Sequence, residues 1–573
     1  DQLVPNTTYD FYVYAYSGNL CAGPIYSALP PLTGSQTTQA CTLLPAGTYT
    51  VGPTGNYTTL GAAMNALTSG VAGNVIFELQ PTYTSAGETF PITIAETPCQ
   101  FMGTVVVRPA AGATNLVITS SAEATIDFNG GDYVTFDGRP GGVGTAKQLS
   151  IINTSASGVA IRFRNDAQQN TITWCDVQGQ NTSTASSATT ASGVIYFGGS
   201  SKPNAQGNDL NTISFCDVHA TGSGNPAIAI SARGENNTET AYNDSITITD
   251  NNIYDFFIAG SASTGLKADA GNNAWTVTNN SFYQTAPRTT SASNTHRAIW
   301  ITPNTASIAN TASGFIVTGN YVGGSAPQAG GTPWTMTGAF ANVLQALDIS
   351  VGLGTPTLVQ GNTVSNIAVS TTSGNGFIGI GQANGHVDII NNTIGSQTNV
   401  DDIVITTTAT GGGTTSGIRT GGGTGAVINI VNNKIGGITT AGTATVGVLL
   451  RGILVAGGTT INVRDNIVGS PTVANSMNAS AATTGNSQSV IGIAVTTATN
   501  TEITDNTIAN LNNNYIGTST TGQTVGITVS TSGTLISGNT IFNLSNANRG
   551  TGSGSSSAVL GISMTSTASG ATV

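Results

Sequence analysis

Arg162, Arg164 and Asp166, in the run AIRFRND, are the densest group of charges in a chain of 573 residues that carries only 15 Lys and Arg and 26 Asp and Glu. Strand alternation puts Arg162 and Arg164 on one face, where Asp176 or Asp217 would be their partners in an outer row of ion pairs. A lyase would use such an arginine as base beside acidic calcium ligands. Glycoside hydrolysis needs two carboxylates facing one sugar. Asp401–Asp402, in QTNVDDIVI, is the adjacent acidic pair, and with no His or Arg motif beside it reads as solvated loop charge. His386 and Asp388, in NGHVD, stand alone and read as surface or filler residues. Asp250 and Asp255 are where calcium would be sought, but no GGxGxDxUx nonapeptide occurs. Serine and threonine abound, so no nucleophile can be named without a histidine partner. Of four tryptophans, Trp334 in GGTPWTMTG is the candidate exposed ring for stacking on a sugar. Trp174 and Phe215 match in context and are expected to stack on each other. The reading therefore assigns no catalytic residue, no metal ligand and no cofactor.

What positions these residues is a repeat. Asn170, Asn211, Asn251, Asn280, Asn320, Asn362, Asn392, Asn433, Asn466, Asn506 and Asn539 are each followed two residues later by an apolar residue, at intervals of 29 to 42 residues. Periods of this size signal a solenoid. A second strand type, Gly-apolar-x-apolar, recurs as GVAIRF, RAIWIT, GFIGIG, IGIAVT and VGITVS. The fold expected is an all-β, right-handed parallel β-helix. Like residues then stack above like: Ile172, Ile213 and Ile253 would share an internal ladder, and the asparagines would bond from coil to coil as a structural ladder. Asn also tolerates the left-handed conformation of a tight bend, as does glycine at the other corner. Asp250, Asp465 and Asp505 precede ladder asparagines where Gly319, Gly361 and Gly538 stand elsewhere, which reads as turn chemistry.

The chain divides into three parts. Residues 1–38, with Leu3, Pro5, Tyr9, Phe11 and Val13 alternating, resemble the last two strands of a fibronectin type III domain, Tyr9 taking the place of the tyrosine corner. A two-stranded extension pairing with the solenoid is the alternative. Residues 39–90 read as linker and N-terminal cap, with an amphipathic helix over 58–69: Leu60, Ala63, Met64 and Leu67 share a face, Thr58 or Thr59 caps it, and Gly70 ends it. Residues 91–573 are β-helix repeats. The final GATV573 matches the strand before an asparagine, so the chain is expected to stop in mid-coil, with more repeats or a partner following. Asp1 as first residue leads to the expectation that a leader and preceding domains lie outside this chain.

Net charge is −11 without a basic patch, against nucleic-acid binding. No apolar run is long enough to span a membrane. Of five cysteines, Cys175 (TWCDV) and Cys216 (SFCDV) are expected to stack, reduced, in the core; Cys41 and Cys99 could bridge the start of the solenoid, with Cys21 left over.

The segments GTYTVGPTGNYTTLGAAMNAL, NVIFELQPTYTSAGETFPITI and ATIDFNGGDYVTFDGRPGGVGT resemble the β-helix regions of large secreted Bacteroidota surface proteins. The resemblance implies secretion, surface display, fibronectin-like modules and type IX export, though no sorting domain is seen; it implies no activity. The function expected is a non-catalytic, extracellular structural or adhesive rod, able to associate with itself or with surface glycans and to form filaments or a surface layer. A polysaccharide-active lyase or hydrolase is the alternative, and a carbohydrate- or ice-binding face a third reading.

Overall fold

The structure is a computed structural model and describes residues 6–14, 16–17, 25–26, 29–38, 41–97, 99, 101–185, 187–222, 224–235, 239–303, 312–408, 413–442, 447–484, 488–564 and 572. Leu3, Pro5 and Cys21, singled out above, lie outside them.

The chain winds as a right-handed parallel β-helix. Each coil gives strands to three parallel sheets in turn, as Thr247–Thr249, Asn252–Tyr254 and Thr264–Ala268 do. Among the described residues sheet I runs through 15 strands, from Gly47–Val51 to Thr534–Ser537, and sheet III through 14, from Ile92–Ala95 to Val559–Met564. Sheet II runs from Leu116–Ser120 to Thr540–Asn546. Fifteen strands at about 4.8 Å span on the order of 70 Å.

Alternation turns one apolar column of each sheet inward. In sheet I the column includes Phe136, Ile172, Ile213, Ile248, Val277 and Val317; in sheet II Val177, Val218, Ile253 and Phe282; in sheet III Ile161, Ile195, Ile230, Leu266 and Ile299. All are fully buried, and each such side chain contributes roughly 1.5–3 kcal/mol. Phe128, Phe163 and Phe197 add an internal stack with centroids 4.7 and 4.6 Å apart.

The asparagines form two groups. From Asn251 to Asn539 nine form one unbroken ladder between sheets I and II, each backbone N–H donating 2.9–3.0 Å to the next carboxamide oxygen. Asn170 and Asn211 are not rungs of it. They stand one strand earlier, at the entrance to sheet I, as a separate pair at 2.9 Å. The ladder position in their coils is held by Cys175 and Cys216, and the Cys216 N–H donates to Asn251 at 2.8 Å. Accordingly Ile213 faces Ile248, and Ile253 faces Val218, not Ile213. Both bends need a buried group that bonds inward, and both use Asn-x-Ile, so the sequence pattern merged them. Cys175 and Cys216 are free thiols with no exposure.

Residues preceding the ladder take left-handed backbone: φ is 57° at Asp250, 58° at Asp465 and Asp505, and 65–67° at Gly319, Gly361 and Gly538. The glycines of the Gly-apolar-x-apolar strands have another reason. Gly379, Gly417, Gly452, Gly492 and Gly526 form a column in which a Cβ would stand 2.5–2.8 Å from the carbonyl oxygen of the next glycine. None has positive φ; close stacking requires them.

At the N-terminal end a helix, Leu60–Ala66, continued by a 3₁₀ turn to Ser69, packs on the first strand of sheet III. Thr59 caps it, its hydroxyl accepting from Ala62 at 3.1 Å, and Gly70 leaves it at φ 79°. The Glu88 carboxylate accepts from Leu60 and Gly61 at 2.5 and 2.9 Å, favourable at a helix start. Cys41 and Cys99 form a disulfide that closes this end, 58 residues apart. Before it, Thr8–Val13 pairs antiparallel with Leu32–Thr37.

Candidate functional site

Chemistry on a β-helix must come from outward side chains, since the inward ones fill the core. On sheet III the outward column follows directly from register: Asp127, Arg162, Tyr196, Ser231, Lys267, Trp300, Asp348, Gly381, Arg419 and Leu454. Most are the middle residue of an apolar-x-apolar triplet such as Ile299-Trp300-Ile301, Gly381 and Arg419 being followed instead by Gln382 and Thr420, and that x position was the signal the sequence reading passed over.

At the N-terminal end Asp127 is fully buried. Arg162 reaches it through Nε at 2.8 Å and Nη2 at 2.9 Å, and Arg164 through Nη2 at 2.8 Å. Burial alone would raise the Asp127 carboxyl, but the two guanidiniums hold it below the usual carboxylate range. Glu123 completes the group on Arg162 at 2.8 Å. The expected partners Asp176 and Asp217 lie on sheet II instead, where they meet His219 at 2.7 Å and Lys147 at 2.5 Å. The coil preceding Arg162, not the one following, supplies its carboxylate.

Midway along the column, Lys267 Nζ lies 4.7 Å and Arg297 Cζ 4.1 Å from the Trp300 ring centroid. Such contacts contribute roughly 0.5–2 kcal/mol each and fix the ring. Asp269 pairs with Lys267 at 3.0 Å and Arg233 at 3.5 Å, and Asp348 Oδ2 accepts from Arg297 Nε at 2.6 Å. Next comes a cleft of about 250 Å³ lined by Gln345, Asp348, Gly381, Gln382 and Arg419. Beyond it the face turns apolar at Leu454, Ile491, Ala494 and Val525.

A larger cavity, about 510 Å³, lies at the corner leading from sheet III to sheet I, near the N-terminal end, lined by Glu96, Asp132, Asp166, Gln168, Lys202 and Gln206. Lys202 pairs with Glu96 at 2.9 Å and approaches Asp166 at 3.9 Å. Burial pushes Asp132 up to about 6 even though it accepts the Gln168 N–H at 2.7 Å.

Trp334, expected as an exposed aromatic, is 3 % exposed and packs edge-on against Phe256 at 5.7 Å. It begins a strand on sheet II, Trp334–Thr337, with its ring turned inward, so it offers no surface to a sugar. Trp174 and Phe215 stack as expected, centroids 4.7 Å apart and planes within 4°. His386 Nδ1 accepts from Val427 at 2.9 Å, and Asp388 accepts from Asn429 at 2.6 Å. Asp401 and Asp402 turn apart, to Thr439 and to the Asn366 N–H. Asp250 accepts from Thr249 at 2.7 Å, and Asp255 is taken by Arg288 and Thr285. Among the described residues no three His, Cys, Asp or Glu gather to hold a metal, and no helix is long and apolar enough to cross a membrane.

No family model and no curated protein matches the chain. Among solved structures it is similar to PfbA, a surface adhesin of Streptococcus pneumoniae, with 12% identity and TM-score 0.32 over 70% of this chain and 89% of that one. It is also similar to the A-module of the Azotobacter vinelandii mannuronan C-5 epimerase AlgE6, with 11% identity and TM-score 0.26 over 88% and 94%.

Proposed function

We propose that the chain is a non-catalytic adhesive rod of an extracellular surface protein, and that the outward column of sheet III is its binding strip. One observation carries the reading. The polar and aromatic groups of this face, Lys267, Trp300 with Arg297 beside it, Asp348 and, past Gly381, Arg419, follow one another from coil to coil in one line. Neighbouring coils rise by about 4.8 Å, comparable with the length of one sugar unit, so an extended polymer can meet one coil with each unit. The Cys41–Cys99 disulfide supports an oxidising, extracellular setting. Fibronectin-like modules, a Bacteroidota lineage and type IX export belong to the same proposal.

The test is incubation of the purified chain with a panel of neutral and acidic polysaccharides. Retention on one of them with its length and chemistry unchanged is the expected result. Shortened polymers or new double bonds would overturn the reading.

The corner cavity favours a second reading, a polysaccharide-active enzyme. Asp132, whose carboxyl burial pushes up to about 6, lines one cavity with Glu96 and Asp166, and a carboxyl raised in this way is what acid catalysis uses. Any turnover in the same assay that Asp132→Asn abolishes would establish it.

A further inference from the structure

Most charges on the outer face of sheet III neutralise one another: Asp127 with Arg162 and Arg164, Asp269 with Lys267 and Arg233, Asp348 with Arg297. Arg419 breaks the pattern. No carboxylate pairs with it and its guanidinium makes no hydrogen bond among the described residues. The Gln345 amide, across the same cleft, is likewise without a hydrogen bond there. Two polar groups with strong hydrogen-bonding capacity, both half-buried, thus face one cavity with their donors open to a ligand.

Gly381 makes the cavity. At its place in the outward column neighbouring coils carry Asp348 and Arg419. Glycine leaves a gap between them, and a Cβ there would strike the Gln345 amide. Ala383 and Gly421 add small residues to the wall, so a flat group can approach the backbone. Arg451, on the next coil, also has no carboxylate partner among the described residues, but its Nη1 is spent on Leu450 and Ser489. Arg419 is therefore the cation left on offer at the cleft.

From this we infer that the Gly381 cleft is a subsite for the carboxylate of a uronic acid unit in an acidic polysaccharide. Arg419 takes the carboxylate through its planar fork. Gln345 donates its amide to the same unit, and the oxygen of Asp348 not engaged by Arg297 accepts a ring hydroxyl. A sugar rather than a peptide is favoured because hydroxyl acceptor, amide and cation converge within one shallow cavity, two strands from Trp300. The inference rests on the binding-strip reading.

The experiment measures binding of the full chain to oligogalacturonate, to its carboxyl-reduced counterpart and to a glutamate-rich peptide. The Arg419 guanidinium makes no hydrogen bond or ion pair among the described residues, so Arg419→Ala should keep the unfolding curve close to the native one. The expected result is oligogalacturonate affinity lowered at least about tenfold by Arg419→Ala, less by Arg419→Lys, and weak binding of the reduced sugar by all forms. Oligogalacturonate binding that ignores Arg419 overturns the subsite and leaves the strip standing. Peptide binding that depends on Arg419, without sugar binding, overturns the sugar assignment. Binding of none of the three overturns the subsite, and a wild-type chain that then retains no polysaccharide of any kind also removes the adhesive reading.

Discussion

The carboxamide oxygen of Asn392 accepts two hydrogen bonds from Asn362, one from its backbone nitrogen at 3.0 Å and one from Nδ2 at 2.9 Å. Asn362 repeats this toward Asn320 and also donates to the Val317 carbonyl at 2.8 Å. Each rung therefore satisfies buried groups of two other coils.

Asn362→Ala should cost about 3 kcal/mol or more. It strands the Val317 carbonyl and the Asn320 donors, and each unsatisfied buried group costs about 1–3 kcal/mol. Asn362→Asp should cost at least as much, because a carboxylate has no N–H to give Asn392. The urea midpoint of the purified variants measures both. A loss below about 1 kcal/mol would mean that the ladder is not a source of stability.

Gly452→Ala should destabilise by about 2 kcal/mol or more, since the new methyl would meet the Val468 side chain and the Gly492 carbonyl, the latter at 2.7 Å. Gly561→Ala is its control in the same column, with nothing within 4 Å of the added carbon. Proteolytic susceptibility should rise for the first variant only. Equal behaviour of the two would refute the close-stacking explanation of the glycine column.

Stability should rise on mild acidification. Burial lifts Asp132 and Asp244 to about 6 and Asp209 to about 7, above an ordinary value of 3.8. Neighbouring charge from Asp244 and Asp166 adds to the shift at Asp209, and charge from Glu239 to that at Asp244. At these three carboxyls the folded state therefore binds more protons than the unfolded chain between about pH 4 and 7, which outweighs the single His296, pushed by burial down to about 4 and acting the other way. Stability contributed by these groups is full below about pH 4 and is lost as pH rises through 6 to 7. Asp127, Glu123 and Asp176, held low by their basic partners, act oppositely and lose their contribution below about pH 4. The unfolding temperature should thus rise by a few degrees from pH 8 to pH 5 and fall again below pH 4. Asp209→Asn should flatten the upper part of that curve; an unchanged curve would refute the assignment.

The sequence by itself determined the fold. Its strands alternate, its repeat is of solenoid length, and Gly, Asn and Asp recur at one bend, so the coil and the inward residue types were legible without coordinates. That Trp174 and Phe215 stack was legible too, because both stand in the same local context. Within a strand, alternation also settles which side chains share a face. It does not settle which residue of the next coil lies opposite, because the loops between strands differ in length and only inter-coil hydrogen bonding sets the register. Only the tertiary structure therefore moved Asn170 and Asn211 out of the long ladder and gave Asp127 to Arg162. It likewise turned Trp334 inward and left Arg419 facing a gap made by Gly381. A ligand subsite on a solenoid is a relation between coils, and the linear sequence records coils one at a time.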